Sequence, residues 1–66
     1  MDNNTLRNGY LKIADKLQGE DLHGAMATAK SLGLMGIMNE IGEIMYSPNE
    51  VYNTYRQRLI EYLIEE

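Results

Sequence analysis

The chain contains no cysteine, so no disulfide can brace it and no thiolate zinc site can substitute for one. It contains no tryptophan or phenylalanine, and all five of its aromatic residues are tyrosines. Runs of β-branched residues are absent. The only proline is Pro48, so no proline before it interrupts a helix. No apolar run approaches the ~20 residues needed to cross a bilayer. The opening MDNNTLRNG is polar and does not read as a signal peptide. With the lack of cysteine, this predicts a cytoplasmic protein. Finally, Ser31 to Tyr55 contains no lysine or arginine.

A chain of 66 residues is one domain, 1–66. So small a chain buries a modest fraction of its surface, and without staples it relies on efficient helix packing or on oligomerisation. The apolar residues follow the helical period throughout. The expected fold is all-α, a compact bundle of four short helices at about 4–18, 20–32, 34–46 and 48–65, completed by oligomerisation.

The first helix buries Leu6, Tyr10, Ile13, Ala14 and Leu17. Gly9 weakens it by ~1 kcal/mol relative to alanine. Gln18-Gly19 ends it, with Gly19 suited to the left-handed cap position. The second helix opens at Glu20-Asp21, acids well placed against the helix dipole. It buries Leu22, Ala25, Met26, Ala29 and Leu32, and its two small alanines allow a close neighbour. Gly33 terminates it. In the third helix, Leu34, Met35, Ile37, Met38, Ile41, Ile44 and Met45 cover more than half of the wheel. A single core contact uses a stripe of roughly 100°. The third helix is therefore central to the bundle or turns one flank to a second chain. Ser47-Pro48-Asn49-Glu50 reads as a capping box with proline at the first helical position. In the fourth helix, Val51, Tyr52, Tyr55, Leu59, Tyr62 and Leu63 form the main stripe. Ile60 and Ile64 fall on a separate flank beyond Arg56.

Net charge is −4. In residues 1–33, Arg7, Lys12, Lys16 and Lys30 balance Asp2, Asp15, Glu20 and Asp21. In residues 34–66, Glu40, Glu43, Glu50, Glu61, Glu65 and Glu66 face only Arg56 and Arg58. The second half thus repels phosphate backbones and anionic membranes and attracts basic partners.

Motifs for chemistry are missing. His23 is the only histidine and has no second strong ligand at helical spacing. Glu40 and Glu43 share a helix face without a metal partner, and no EF-hand loop is present. Ser31 and Ser47 occupy cap or turn positions with no histidine nearby. The glycines at 33, 36 and 42 surround an apolar helix and form no phosphate cradle. No catalytic residue, metal ligand or cofactor is expected, and the chain is not expected to be an enzyme.

Ala29-Lys30-Ser31-Leu32-Gly33-Leu34 resembles the A-x-x-L-G-[LV] centre of the helix-turn-helix in DNA-binding repressors. The resemblance covers those six residues alone and implies a transcription regulator. Downstream, Asn39 and Gly42 stand where that pattern wants apolar anchors. The helix that would enter the groove has no lysine or arginine and carries Glu40 and Glu43, so direct nucleic-acid binding is not expected.

The leading expectation is a small acidic interaction module, an inhibitor or adaptor of phage or mobile-element type. It would occlude a basic protein surface, including one that binds nucleic acid, and would itself form a homo-oligomer. Its candidate interface is Met35, Met38, Glu40, Glu43, Met45, Tyr46, Tyr55, Ile60 and Ile64, where soft methionines and amphipathic tyrosines favour contact surfaces. The alternatives are the helix-turn-helix regulator and a structural subunit of a helical assembly.

Overall fold

Four helices account for the chain in a computed structural model that describes residues 2–65: α1 (Asn3–Gln18), α2 (Leu22–Ser31), α3 (Met35–Met45) and α4 (Asn49–Glu65). Among the described residues there is no strand. All four expected helices are present, each beginning or ending within two residues of its expected bounds.

Local chemistry explains most of the ends. The Asp2 carboxylate accepts a hydrogen bond from the Thr5 backbone N–H at 2.7 Å and caps α1. That bond holds the Asp2 carboxyl below its ordinary pKa. Asp21 caps α2 by accepting from the Gly24 N–H at 2.9 Å. Both α1 and α2 end in Schellman turns. After α1, the Glu20 N–H reaches the Leu17 carbonyl at 3.0 Å and the Asp21 N–H reaches Lys16 at 2.9 Å. After α2, Gly33 and Leu34 bond to Lys30 and Ala29 in the same pattern. Gly33 takes the left-handed φ of +73° that this turn requires.

Two capping expectations are corrected. The left-handed residue after α1 is Glu20, at φ +60°, while Gly19 sits at −83°. The turn needs its left-handed residue one position further on than the glycine. The Ser47 hydroxyl does not serve α4 as read. It donates to the Ile44 carbonyl at 2.6 Å, closing the end of α3. The first turn of α4 starts from the Pro48 carbonyl, which accepts from Val51 and Tyr52, both at 3.1 Å.

The core is built from Ile13, Ala14 and Leu17 of α1, Ala25 and Ala29 of α2, Ile41 and Ile44 of α3, and Leu59, Ile60 and Leu63 of α4. Because α2 contributes only alanines to it, α1 and α3 pack closely on either side of α2. Gly9 is buried for a related reason. A Cβ there would stand 2.5 Å from Leu32 Cδ1, so the glycine that weakens α1 lets the end of α2 lie against it. The helices form a ring in which α1 touches α2 and α4, α2 touches α3, and α3 meets α4 only sparsely. Thus α3 is not the centre of the bundle. The chain exposes 4409 Å², close to the roughly 4,300 Å² expected of a compact monomer of 7.6 kDa.

The face of α4 differs from the expected stripe. Its inner residues are Arg56, Leu59, Ile60 and Leu63, while Tyr55 and Tyr62 are exposed. Arg56 is only 8% exposed. Its Nη1 donates to the Leu17 carbonyl at 2.8 Å and its Nη2 to Asn53 Oδ1 at 3.2 Å. The guanidinium carbon lies 5.6 Å from the centre of the Tyr52 ring. Leu17 belongs to the last turn of α1, where the helix dipole favours a cation. The Tyr52 hydroxyl donates to Glu20 Oε1 at 3.3 Å. Burial, reinforced by the Glu20 charge, raises the Tyr52 pKa above its ordinary value.

Two outcomes follow for denaturation measurements. Arg56→Ala should lose about 2–3 kcal/mol in urea unfolding, because it removes both a charge-assisted bond and a buried stem. Arg56→Met should lose less than ~1.5 kcal/mol, since Leu17 keeps its bond from Glu20 and the stem is replaced. Equal losses would show that the stem contributes nothing. Separately, Glu20→Gly should gain about 0.5 kcal/mol. The relieved left-handed strain of ~1–2 kcal/mol is partly offset by chain entropy and the lost Tyr52 bond. That gain corresponds to a melting temperature ~2–4 °C higher, and a fall would mean that the Tyr52 bond outweighs the strain.

Candidate docking groove between helices three and four

Where α3 and α4 fail to close, a groove of about 870 Å³ opens. The α4 side presents Tyr55, Arg58, Leu59 and Tyr62, positions spaced i, i+3, i+4 and i+7 on one helical face. The α3 side presents Leu34, Gly36, Ile37, Glu40, Glu43 and Ile44, and Tyr10 of α1 also lines the groove. Ile44 and Leu59 are buried at the base of the two walls, with Leu34 and Ile37 half-buried. Tyr55 and Tyr62 stand exposed at the edge. The Tyr10 and Tyr62 rings meet with centroids 6.4 Å apart at 44°, a tilted aromatic contact that joins α1 to α4 beside the groove. Glu40 and Glu43 are both exposed along the α3 edge.

Burial of Arg56 changes the electrostatics of this half. Its charge is directed inward, to the Leu17 carbonyl. The exposed charges of α3 and α4 are then Glu40, Glu43, Glu50, Glu61 and Glu65 against Arg58 alone. Five glutamates against one arginine leave the exposed surface of these two helices acidic.

The expected interface residues divide into four groups. Glu40, Glu43 and Tyr55 line the groove. Met35, at 49% exposure, begins α3, Tyr46, at 87%, follows its end, and Ile64 is exposed in the last turn of α4. Met38 is half-buried and packs on the core, and Met45 is half-buried. Ile60 must be corrected: it is 2% exposed and belongs to the core, because α4 turns Arg56 and Ile60 inward together. Tyr10, Leu34, Ile37, Arg58 and Tyr62 were not among the expected residues. Helical spacing put Tyr10 and Tyr62 on the inner stripes, and spacing alone does not separate a core position from the edge beside it.

The six residues that resemble a helix-turn-helix centre do form a corner. Ala29 is fully buried in α2, and Gly33 supplies the left-handed turn before α3. The exposed side of α3 beyond that corner bears Met35, Gly36, Asn39, Glu40 and Glu43, with no cation. His23 is exposed at the start of α2. Among the described residues no three histidine, cysteine or acidic side chains gather as a metal site would need. No described helix is long and apolar enough to cross a membrane.

Comparison with protein-family models, curated proteins and solved structures finds no match for this chain.

The assignment of groove and core is checked by paired substitutions followed by circular dichroism and urea. Tyr55→Glu should keep the helical spectrum and lose no more than ~1 kcal/mol. Ile60→Glu, which buries an unpaired carboxylate, should lose more than ~3 kcal/mol or unfold the chain. Similar behaviour of the two variants would refute the inward rotation of α4.

Proposed function

We propose that this chain is a small protein–protein interaction module, an inhibitor or adaptor, that docks through α3 and α4 on a basic surface of a larger protein and occludes it. The observation that carries this reading is the apolar groove between α3 and α4, edged by tyrosines and by Glu40 and Glu43. An apolar floor supplies burial, and tyrosine supplies rigid contact area that keeps a hydroxyl hydrated. The acidic edge selects a basic partner and speeds encounter. Self-association through this face would set the acidic edges of two copies together. A different, basic protein is therefore the favoured occupant, and a homo-oligomer would have to use another surface.

The second reading, a transcription regulator, rests on the α2–α3 corner. It is opposed by the acidic exposed side of α3, because affinity for duplex DNA comes largely from phosphate neutralisation.

The test compares tagged wild-type chain with Tyr55→Glu in co-purification from native cells, repeated at rising salt. A specific partner should be retained by wild type, reduced at least tenfold by Tyr55→Glu, and weakened as salt screens the acidic edge. Random duplex DNA at low salt should give no gel shift. Retention of the partner by Tyr55→Glu, or robust DNA binding, overturns the reading.

A further inference from the structure

Resting on the reading of α3 and α4 as a docking face, we infer that the groove receives a single amphipathic helix of the partner, with lysine or arginine beside its apolar stripe. The shape of the groove argues for a helix. One wall is a ridge of α4 formed by Tyr55, Leu59 and Tyr62, spaced i, i+4 and i+7. The other is a ridge of α3 formed by Ile37, Glu40 and Ile44, spaced i, i+3 and i+7. Two helical ridges that touch only sparsely leave a furrow into which the ridge of a third helix fits, as helices pack within a bundle. The occupant offers anchors at i, i+3 or i+4, and i+7. A segment of ~11 residues extends ~16 Å, the length of α3 itself.

An extended strand finds no sheet edge here, because the described residues contain no strand. It would gain none of the main-chain pairing by which added strands bind. Charge specifies the rest. Glu40 and Glu43 lie one turn apart along one edge, so cations one turn apart on the incoming helix meet both. Arg58 on the opposite wall makes the groove asymmetric, so the basic flank of the occupant faces α3. A second copy of this chain is a poor occupant. Its exposed α3 and α4 charges are five glutamates against one arginine, and they would meet the same set.

The experiment selects from a display library of random 16-residue peptides with the intact chain. The strongest peptides are then synthesised and titrated against wild type, Tyr55→Glu and the double variant Glu40→Lys/Glu43→Lys. Enriched peptides should carry apolar residues at helical spacing with lysine or arginine alongside, and should gain helical circular dichroism on binding. Each variant should weaken them at least tenfold. The double variant changes only exposed positions, so it keeps the test decisive if Tyr55→Glu fails to fold. Enriched peptides that are proline-rich or remain extended, yet are weakened by the variants, overturn the helical occupant and leave the docking face standing. Peptides that bind both variants as tightly as wild type overturn the helical occupant and the docking face together. An absence of enrichment overturns the inference, and a dimer in sedimentation that Tyr55→Glu converts to monomer would assign the groove to a second copy instead.

Discussion

Burial of Arg56, with its bond to the Leu17 carbonyl, is the constraint around which the helices are arranged. Three of the four helix contacts in the ring join elements adjacent in sequence. Only the contact of α1 with α4 spans the length of the chain, and the Arg56 bond crosses it at the last turn of α1. A guanidinium taken out of water without a carboxylate is costly unless its donors are met. Here the last turn of α1 supplies a carbonyl and a favourable dipole to Nη1, Asn53 supplies an acceptor to Nη2, and the Tyr52 ring lies close by, while the buried Nε has no hydrogen-bond partner among the described residues. The same bond sets the rotation of α4. With position 56 turned inward, positions 55 and 62 are carried to the edge, where they meet the gap beside α3.

The groove is thus linked to the polar contact on the other side of α4. Were the tyrosines turned in, as an apolar stripe of Tyr52, Tyr55, Leu59 and Tyr62 would require, the gap beside α3 would be filled by the chain's own side chains. Instead the inner positions go to Arg56, Leu59, Ile60 and Leu63, which are compact around α1. The charge of the exposed surface shifts with the rotation, since one of the two cations in this half is turned to an internal carbonyl. Shape and electrostatics at α3 and α4 both follow from one buried arginine.

Much of the fold was legible in the sequence. The four helices, the Gly33 stop, the Asp21 start and the alanine face of α2 follow from period, cap chemistry and side-chain size. What was not legible has physical causes. Arginine is an amphipathic residue whose stem packs like a hydrocarbon, so classing Arg56 as polar placed it outside and drew the stripe through tyrosines, which are equally two-sided. Whether a donor such as Arg56 finds a carbonyl 39 positions away depends on the tertiary fold, not on local pattern. Glu20 carries the left-handed conformation because the Schellman turn counts from the last helical residue, and Gly19 lies one place too early. For the groove, the excess width of the apolar face of α3 was evident, as were Glu40, Glu43 and Tyr55. The opposite wall was not, because it depends on the rotation of α4.

The ends of α3 differ from those of its neighbours. It begins at Leu34 with no side-chain cap, has no acid in its first turn and no base in its last, and includes Gly36 and Gly42. At 11 residues it is shorter than the ~12–15 that a helix in water needs even with favourable composition. Its order is therefore borrowed from burial against α2, and it has the least of its own to resist unravelling. Local opening in a small domain concentrates in such a segment, and amide hydrogens there exchange with solvent before those of a well-capped helix. Anything seated against α3 shifts that opening equilibrium by mass action. Occupancy of the groove and protection of the α3 amides are two readouts of a single equilibrium.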